Sequence, residues 1–205
     1  MENSKTMHII GQSLEAELAH GIMVSNLAFR VARELSLDDK ICYEMAVAGM
    51  LHDIGKLEIA KLISERQKET LTIEELKYVR NHSTLSYTIL TERGYSDLIL
   101  KSILYHHENY DGTGYPANLS GEEIPLGARI LRVCDTFSAL VSNRPYRSAF
   151  DKDTAVELMI DEARYYDIGV FLAFMRVIHE GNLEGLLESR ETEELLKSLT
   201  REAEL

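Results

Sequence analysis

Apolar residues recur at helical rather than strand spacing along most of this 205-residue chain. From Gln12 to about Leu37, the positions Leu14, Leu18, Ile22, Leu27, Val31 and Leu35 describe one long amphipathic helix. Asp38 suits the N-cap of a second helix through Ile41, Met45, Ala48 and Leu51, with a stop expected at Gly55. Residues 57–71 are charged and read as a short helix and a connection. Thr72 followed by Glu75 is a capping-box pattern for a helix carrying Leu76, Val79, His82, Leu85 and Ile89 as far as Gly94. Ser96 opens another, with Leu100, Ile103, Leu104 and His107 sharing a face. The period collapses between Tyr110 and Pro125, a glycine-rich irregular loop, and resumes from about Leu126 to Leu140. Helices from about Asp153 to Tyr165 and from Ile168 to His179 follow. There is no strand alternation and no repeat. The pattern predicts an all-α helical bundle: a lead-in over residues 1–10, one domain over residues 11–182, and an acidic helix or tail over residues 183–205.

Polar residues interrupt these apolar stripes where a core would be expected. His20 and His82 lie within helical runs, Asp135 shares a face with Ala128 and Leu131, and His106 and His107 splay about 100° apart around a helix axis. The stretch Leu51-His52-Asp53-Ile54-Gly55-Lys56 delivers an imidazole and a carboxylate side by side. Taken alone, the pair reads equally well as an interior histidine with its aspartate partner beside a helix-ending glycine. Buried histidines and aspartates need partners, however, and a metal satisfies many at once. Imidazole nitrogen with carboxylate oxygen suits first-row divalent metals rather than a thiolate-bound structural zinc. Cys42 and Cys134 stand far apart, without metal or redox spacing, and read as reduced core residues.

Charge narrows the partner class. A formal net charge of -12 with no basic stripe argues against a nucleic-acid polymer. A small anionic substrate remains compatible, provided bound cations and a few placed basic side chains receive it. No apolar run of about 18 residues can span a bilayer, and the opening Met-Glu-Asn-Ser-Lys lacks the apolar core of a secretory signal. A cytoplasmic protein is expected.

Several motifs stand in a recognisable order: His52-Asp53-Ile54-Gly55-Lys56, His106-His107-Glu108, Asp111-Gly112-Thr113-Gly114-Tyr115-Pro116, Ile124-Pro125-Leu126, Ala128-Arg129-Ile130 and Arg144-Pro145-Tyr146-Arg147. Over roughly residues 14 to 175 the chain resembles the HD-GYP family, a subgroup of the HD-domain metal-dependent phosphohydrolases. The resemblance implies an HD-domain-like helical bundle and a bacterial signalling enzyme. Its implied reaction is hydrolysis of cyclic di-GMP to pGpG or GMP by a metal-bridging hydroxide, with two divalent ions, often iron or manganese. Position by position, it implies His20, His52, Asp53, His82, His106, His107 and Asp135 as metal ligands, with Asp53 as the bridge and a catalytic residue.

The same resemblance implies that Lys56 contacts a substrate phosphate, where the plain alternative is a surface lysine just past a helix C-terminus. It places Arg144 and Arg147 near the second phosphate or the guanine, a role that suits a planar guanidinium fork. Gly112 and Gly114 are expected at positive φ, with Pro116 stiffening the turn; the resemblance implies that Gly114, Tyr115 and Pro116 shape the pocket rim and that the loop docks diguanylate-cyclase domains. Two departures from the family pattern stand out. Ala16 replaces the glutamate that holds a third metal, and Glu15 and Glu17 are expected to project elsewhere, so two metals are predicted. The stretch after Lys56 lacks the family's prolines, which predicts more helix there or an altered lid. Two alternative readings are a catalytically weak cyclic-dinucleotide receptor or docking module, and an HD hydrolase of another phosphorylated nucleotide.

Overall fold

The computed structural model describes residues 8–9, 12–64, 80–144 and 147–180. Among these, eight α-helices carry the fold. They are α1 (Leu14–Glu34), α2 (Asp39–Leu51), α3 (Gly55–Ser64), α4 (His82–Thr91), α5 (Asp97–Leu104), α6 (Leu126–Leu140), α7 (Lys152–Asp161) and α8 (Ile168–Glu180). A two-residue antiparallel pair, β1 (His8–Ile9) with β2 (Gln12–Ser13), precedes α1. The expected lead-in is thus partly ordered, and the first helix starts two residues later than its periodicity suggests. Residues 1–7, the Thr72–Glu75 capping pattern and the acidic tail fall outside the described residues.

The inward stripe of α1 is what the bundle closes around. Val24, Leu27, Ala28, Val31 and Ala32 are fully buried, each large side chain contributing about 1.5 to 3 kcal/mol on burial. They face α2, α6 and α8, where Phe137 and Phe174 meet edge to face at 5.1 Å. The α1–α2 crossing is unusually close. A Cβ on Gly49 would lie 2.8 Å from the Cα of Ser25, so glycine lets the two backbones meet and brings His20 toward the end of α2.

Caps follow the sequence in part. The Ser96 hydroxyl accepts from the Ile99 N–H at 3.4 Å, as a cap should, whereas Asp38 makes no side-chain cap bond. Gly94, at φ +72°, ends α4.

Gly55 corrects the expectation of a helix stop. The second helix ends at Leu51, one turn follows, and Gly55 begins α3. Its reason for being glycine is tertiary: a Cβ there would sit 2.3 Å from the His82 carbonyl oxygen and 2.8 Å from the Ser86 nitrogen. Ser86 fastens the approach, accepting from the Gly55 N–H at 2.9 Å and donating to the His52 carbonyl at 2.9 Å. The helical start of the segment after Lys56 agrees with the loss of prolines there, while residues 65–71 lie outside the described part.

Candidate metal centre

Five separate pieces of chain deliver the seven candidate ligands to one place. His20 comes from the middle of α1, His52 and Asp53 from the turn after α2, His82 from the first position of α4, His106 and His107 from the turn after α5, and Asp135 from α6. The splayed pair at 106–107 lies beyond the helix rather than within it, because α5 stops at Leu104. His20, His52, His82 and His106 are almost wholly buried.

Asp53 sits at the middle. Its Oδ2 lies 3.1 Å from His52 Nε2 and 4.0 Å from His20 Nε2, while its Oδ1 lies 3.1 Å from His82 Nε2. The two oxygens of one carboxylate therefore face two different groups. On one side His20 Nε2 is 3.0 Å and His52 Nε2 is 3.7 Å from Asp135 Oδ1. On the other, His82 Nε2 is 3.0 Å from His107 Nε2 and 3.5 Å from His106 Nε2. Each trio keeps its ligand atoms within 4.8 Å of one another.

These contacts do not all pair off as hydrogen bonds. His20 Nδ1 and Nε2, His52 Nε2 and Asp53 Oδ1 are buried with no hydrogen-bond partner among the described residues. Leaving such atoms unsatisfied costs about 1 to 3 kcal/mol each. Ligands bonded at 2.0 to 2.2 Å around one ion stand roughly 3 Å from each other, which is the spacing seen. Their tautomers are also prepared: His52 Nδ1 faces the Gly49 carbonyl at 2.8 Å and His106 Nδ1 the Ile103 carbonyl at 2.6 Å. Holding the proton on Nδ1 turns each Nε2 lone pair inward. Five imidazoles and two carboxylates thus fit a pair of first-row divalent ions. Cys134, although next to Asp135, has its thiol pushed up by burial and stays outside the ligand set.

Electrostatics divide the two sides. Burial opposes charge on His52, but the Asp53 and Asp135 carboxylates outweigh it and lift its pKa to about 10. Burial likewise opposes charge on Asp53, yet the His52 and Lys56 cations hold it well below the usual carboxylate range. His106 and His107 face no such excess of negative charge, and burial drives both down, His107 to about 3. In the metal-free protein His52 therefore carries a proton where a cation would bind, whereas His106 and His107 are neutral.

This asymmetry has a sign in stability. A histidine raised above its unfolded value of about 6.5 stabilises the fold below that pH and loses the contribution as pH rises toward the folded value. His52 thus weakens the metal-free fold between about pH 6.5 and 10. Depressed histidines act oppositely, so His106 and His107 weaken it as pH falls from about 6.5 toward 3. Thermal scans in chelator are expected to show Tm falling between pH 7 and 9.5, whereas metal-loaded protein holds or gains Tm because ligand deprotonation favours binding. Parallel curves for the two forms would contradict the assignment.

Lys56 lies in the first turn of α3, not past a helix end. Its Nζ is 2.5 Å from Asp53 Oδ2 and 3.8 Å from Glu17 Oε2, and these carboxylates overcome burial to raise its pKa. The expectation that Glu17 projects elsewhere fails. Positions 17 and 20 are three apart on α1 and share a side, so Glu17 reaches the pocket beside Asp53 that Leu18, Met50 and Leu57 also line. Glu15 is exposed.

The Gly-Tyr-Pro loop covers the other side. The Tyr115 ring stacks on His107 at 4.7 Å and 27°. Gly112 has the expected positive φ, +83°, but Gly114 does not. Gly114 is instead required by close approach: a Cβ would meet the Asn109 nitrogen at 2.2 Å, the Glu108 Cα at 2.4 Å and the His107 carbonyl at 2.5 Å. Glu108, 1% exposed, binds the loop back through its Oε1, which accepts from the Ala117 N–H at 2.6 Å.

Arg147 has a structural place. Its guanidinium donates to the carbonyls of Ala139 at 2.9 Å and Leu140 at 3.0 Å, at the C-terminal end of α6, and of Ser148 at 2.9 Å. These are carbonyls that a helix end leaves unbonded. Arg144 pairs with Arg147 through the backbone only, at 2.8 and 3.0 Å, and Pro145 and Tyr146 lie outside the described residues. Sequence reasoning overlooked Ser86, Asn109 and Arg132. Of these, only Arg132 carried a signal, a charge one turn before Asp135 on a mostly apolar helix.

Comparison with known proteins agrees with this geometry. Residues 4–170 match the HD domain family. A cyclic di-GMP phosphodiesterase of Pseudomonas aeruginosa is 37% identical over 160 residues, 78% of this chain and 38% of that protein. A 3'3'-cGAMP-specific phosphodiesterase of Vibrio cholerae is 36% identical over 129 residues, 63% of this chain and 28% of that protein. The chain thus spans less than half the length of either relative. The solved structure of a cyclic GMP-AMP-specific phosphodiesterase from V. cholerae superposes with a TM-score of 0.65 at 14% identity, covering 90% of this chain and 52% of that one. It shares the fold.

Proposed function

Because this chain belongs to the HD domain family, and within it to the HD-GYP type, we propose that it hydrolyses cyclic di-GMP with a pair of divalent metal ions. The observation that carries the reading is Asp53, whose two oxygens face two separate ligand trios at 3.1 Å each. We assign His20, His52 and Asp135 to one ion and His82, His106 and His107 to the other, with Asp53 shared. The mixed imidazole and carboxylate set suits first-row divalent ions, and the family resemblance makes iron or manganese the expected pair. Such a pair supplies positive charge at the phosphoryl oxygens and acidifies a water molecule near neutrality.

The chain's own residues set the geometry. Asp53 keeps the two trios in register, and Gly49 and Ile103 hold the inward lone pairs of His52 and His106. Lys56, charged and braced by Asp53 and Glu17, offers its remaining N–H donors to a non-bridging phosphate oxygen. Tyr115 covers His107 and excludes bulk water from that edge. In the reaction a P–O bond to water forms and the P–O3' bond breaks, leaving linear pGpG with a 5'-phosphate. A second cut yields GMP.

The cyclic GMP-AMP-specific relative supports a neighbouring reading in which another cyclic dinucleotide is taken. The tie of Lys56 to Asp53 and Glu17 supports a receptor with slow turnover, since substrate must compete for that ammonium. We assign any contact with a diguanylate-cyclase domain to the Gly-Tyr-Pro loop, where Tyr115 stacks on His107 and Pro116 is exposed.

Chromatography after incubating iron- or manganese-loaded protein with cyclic di-GMP and with cyclic GMP-AMP separates these readings. Linear products above the background of Asp53→Ala are expected. Intact ligand with either metal, despite binding, would replace the enzyme with the receptor.

A further inference from the structure

A cyclic dinucleotide carries two phosphates, and the metal pair meets only one. Arg147 is engaged by three backbone carbonyls, and a chain of net charge -12 repels a dianion. The other phosphate therefore requires a cation held beside the centre.

Arg132 is held in such a position. Its Nε donates to Asn109 Oδ1 at 3.0 Å and its Nη1 to Thr136 Oγ1 at 3.0 Å. Asn109 lies two residues beyond His107 in the turn after α5, and Thr136 follows Asp135 on α6, so neighbours of two ligands from distant segments clamp the guanidinium between them. Asn109 is itself anchored, donating to Thr113 Oγ1 at 3.0 Å, and Thr113 donates to Asp111 Oδ1 at 2.6 Å. The guanidinium carbon stands 5.9 Å from the Tyr166 ring centroid. Nη2 has no hydrogen-bond partner among the described residues, which leaves that nitrogen as a charged donor for a ligand. The charge reaches the site, since Arg132 acts on both His107 and Tyr115.

A second guanidinium faces a different tyrosine, the one that stacks on His107. Arg80, exposed and two residues ahead of His82, places its guanidinium carbon 5.7 Å from the Tyr115 ring centroid. Tyr115 in turn stacks on His107. Two arginines from distant parts of the chain thus flank the metal-ligand cluster, Arg80 over the Tyr115 ring that stacks on His107 and Arg132 held between Asn109 and Thr136.

We propose that Arg132, assisted by Arg80, binds the phosphate of a cyclic dinucleotide that is not being cleaved, and so sets the preference for substrates with two phosphates. This rests on the phosphodiesterase reading. The test compares cyclic di-GMP with bis(p-nitrophenyl) phosphate, a diester with a single phosphate, in Arg132→Gln, Arg80→Gln and the double variant. Each loss of a charged hydrogen-bond donor is expected to raise KM for cyclic di-GMP about tenfold, with kcat changed much less. The ratio of kcat/KM for the two substrates falls by at least about tenfold, and Arg132→Lys recovers part of it. A ratio constant within about twofold, or an equal loss on both substrates, overturns the proposal. If the wild-type protein hydrolyses neither compound, the function reading has failed separately. Calorimetric binding of cyclic di-GMP then decides: about tenfold weaker binding in the arginine variants supports the phosphate clamp, and equal affinity refutes it.

Discussion

Asp53→Ala is expected to abolish cyclic di-GMP hydrolysis to at least about 100-fold below wild type, since even partners one shell out from a metal cost 10- to 100-fold. Asp53 touches both trios, with 3.1 Å to His52 and 3.1 Å to His82, so its loss weakens both ion sites together. It also removes the main counter-charge of Lys56, 2.5 Å away, and the carboxylate that lifts His52. Metal analysis is the sharper readout. The variant should retain clearly less metal than wild type after desalting, whereas His20→Ala, which touches only one trio, should lose mainly that side's ion. Full metal content and activity in Asp53→Ala would refute the shared-ligand assignment.

Gly114→Ala is the second large effect, and it acts without touching a ligand. A methyl group at this position meets three backbone atoms at 2.2 to 2.5 Å, and backbone cannot swing aside as a side chain can. Overpacking of this kind costs about 1 to 3 kcal/mol or more, which for a chain of this size lowers Tm by roughly 2 to 4 °C per kcal/mol. The colliding atoms belong to His107, Glu108 and Asn109, so relief of the clash moves a ligand, the buried carboxylate that fastens the loop, and the anchor of Arg132. Activity and metal retention on the His82, His106 and His107 side should fall with Tm. Gly121→Ala is the contrasting case: a Cβ there meets nothing within 4 Å, although its φ of +54° still strains an alanine. It should cost some stability and leave metal retention intact. If Gly114→Ala matched Gly121→Ala in metal retention, the close-approach account would be wrong.

Much of this was open to reading from residues in order. Helical periods placed α1, α2, α5, α6 and α8 to within a few residues, because burial of one stripe imposes a repeat of 3.6 that any single element displays. Histidines and an aspartate standing inside those stripes marked the ligands, because a polar group on an apolar face needs a partner. Glu17 was also legible in principle, three residues before His20.

What the chain alone determined, then, is the helical class, the chemical kind of each ligand and its approximate face. Only the tertiary structure decided that Asp53 divides its oxygens between two trios, that Gly55 and Gly114 are glycine because backbones meet there, and that Arg147 serves a helix end while Arg132 is held beside the ligand cluster by Asn109 and Thr136. The reason is one of range. Periodicity and donor chemistry are expressed within a turn or two of helix, whereas a clash, a shared carboxylate or an unsatisfied donor exists only between segments that folding brings to within about 3 Å of one another.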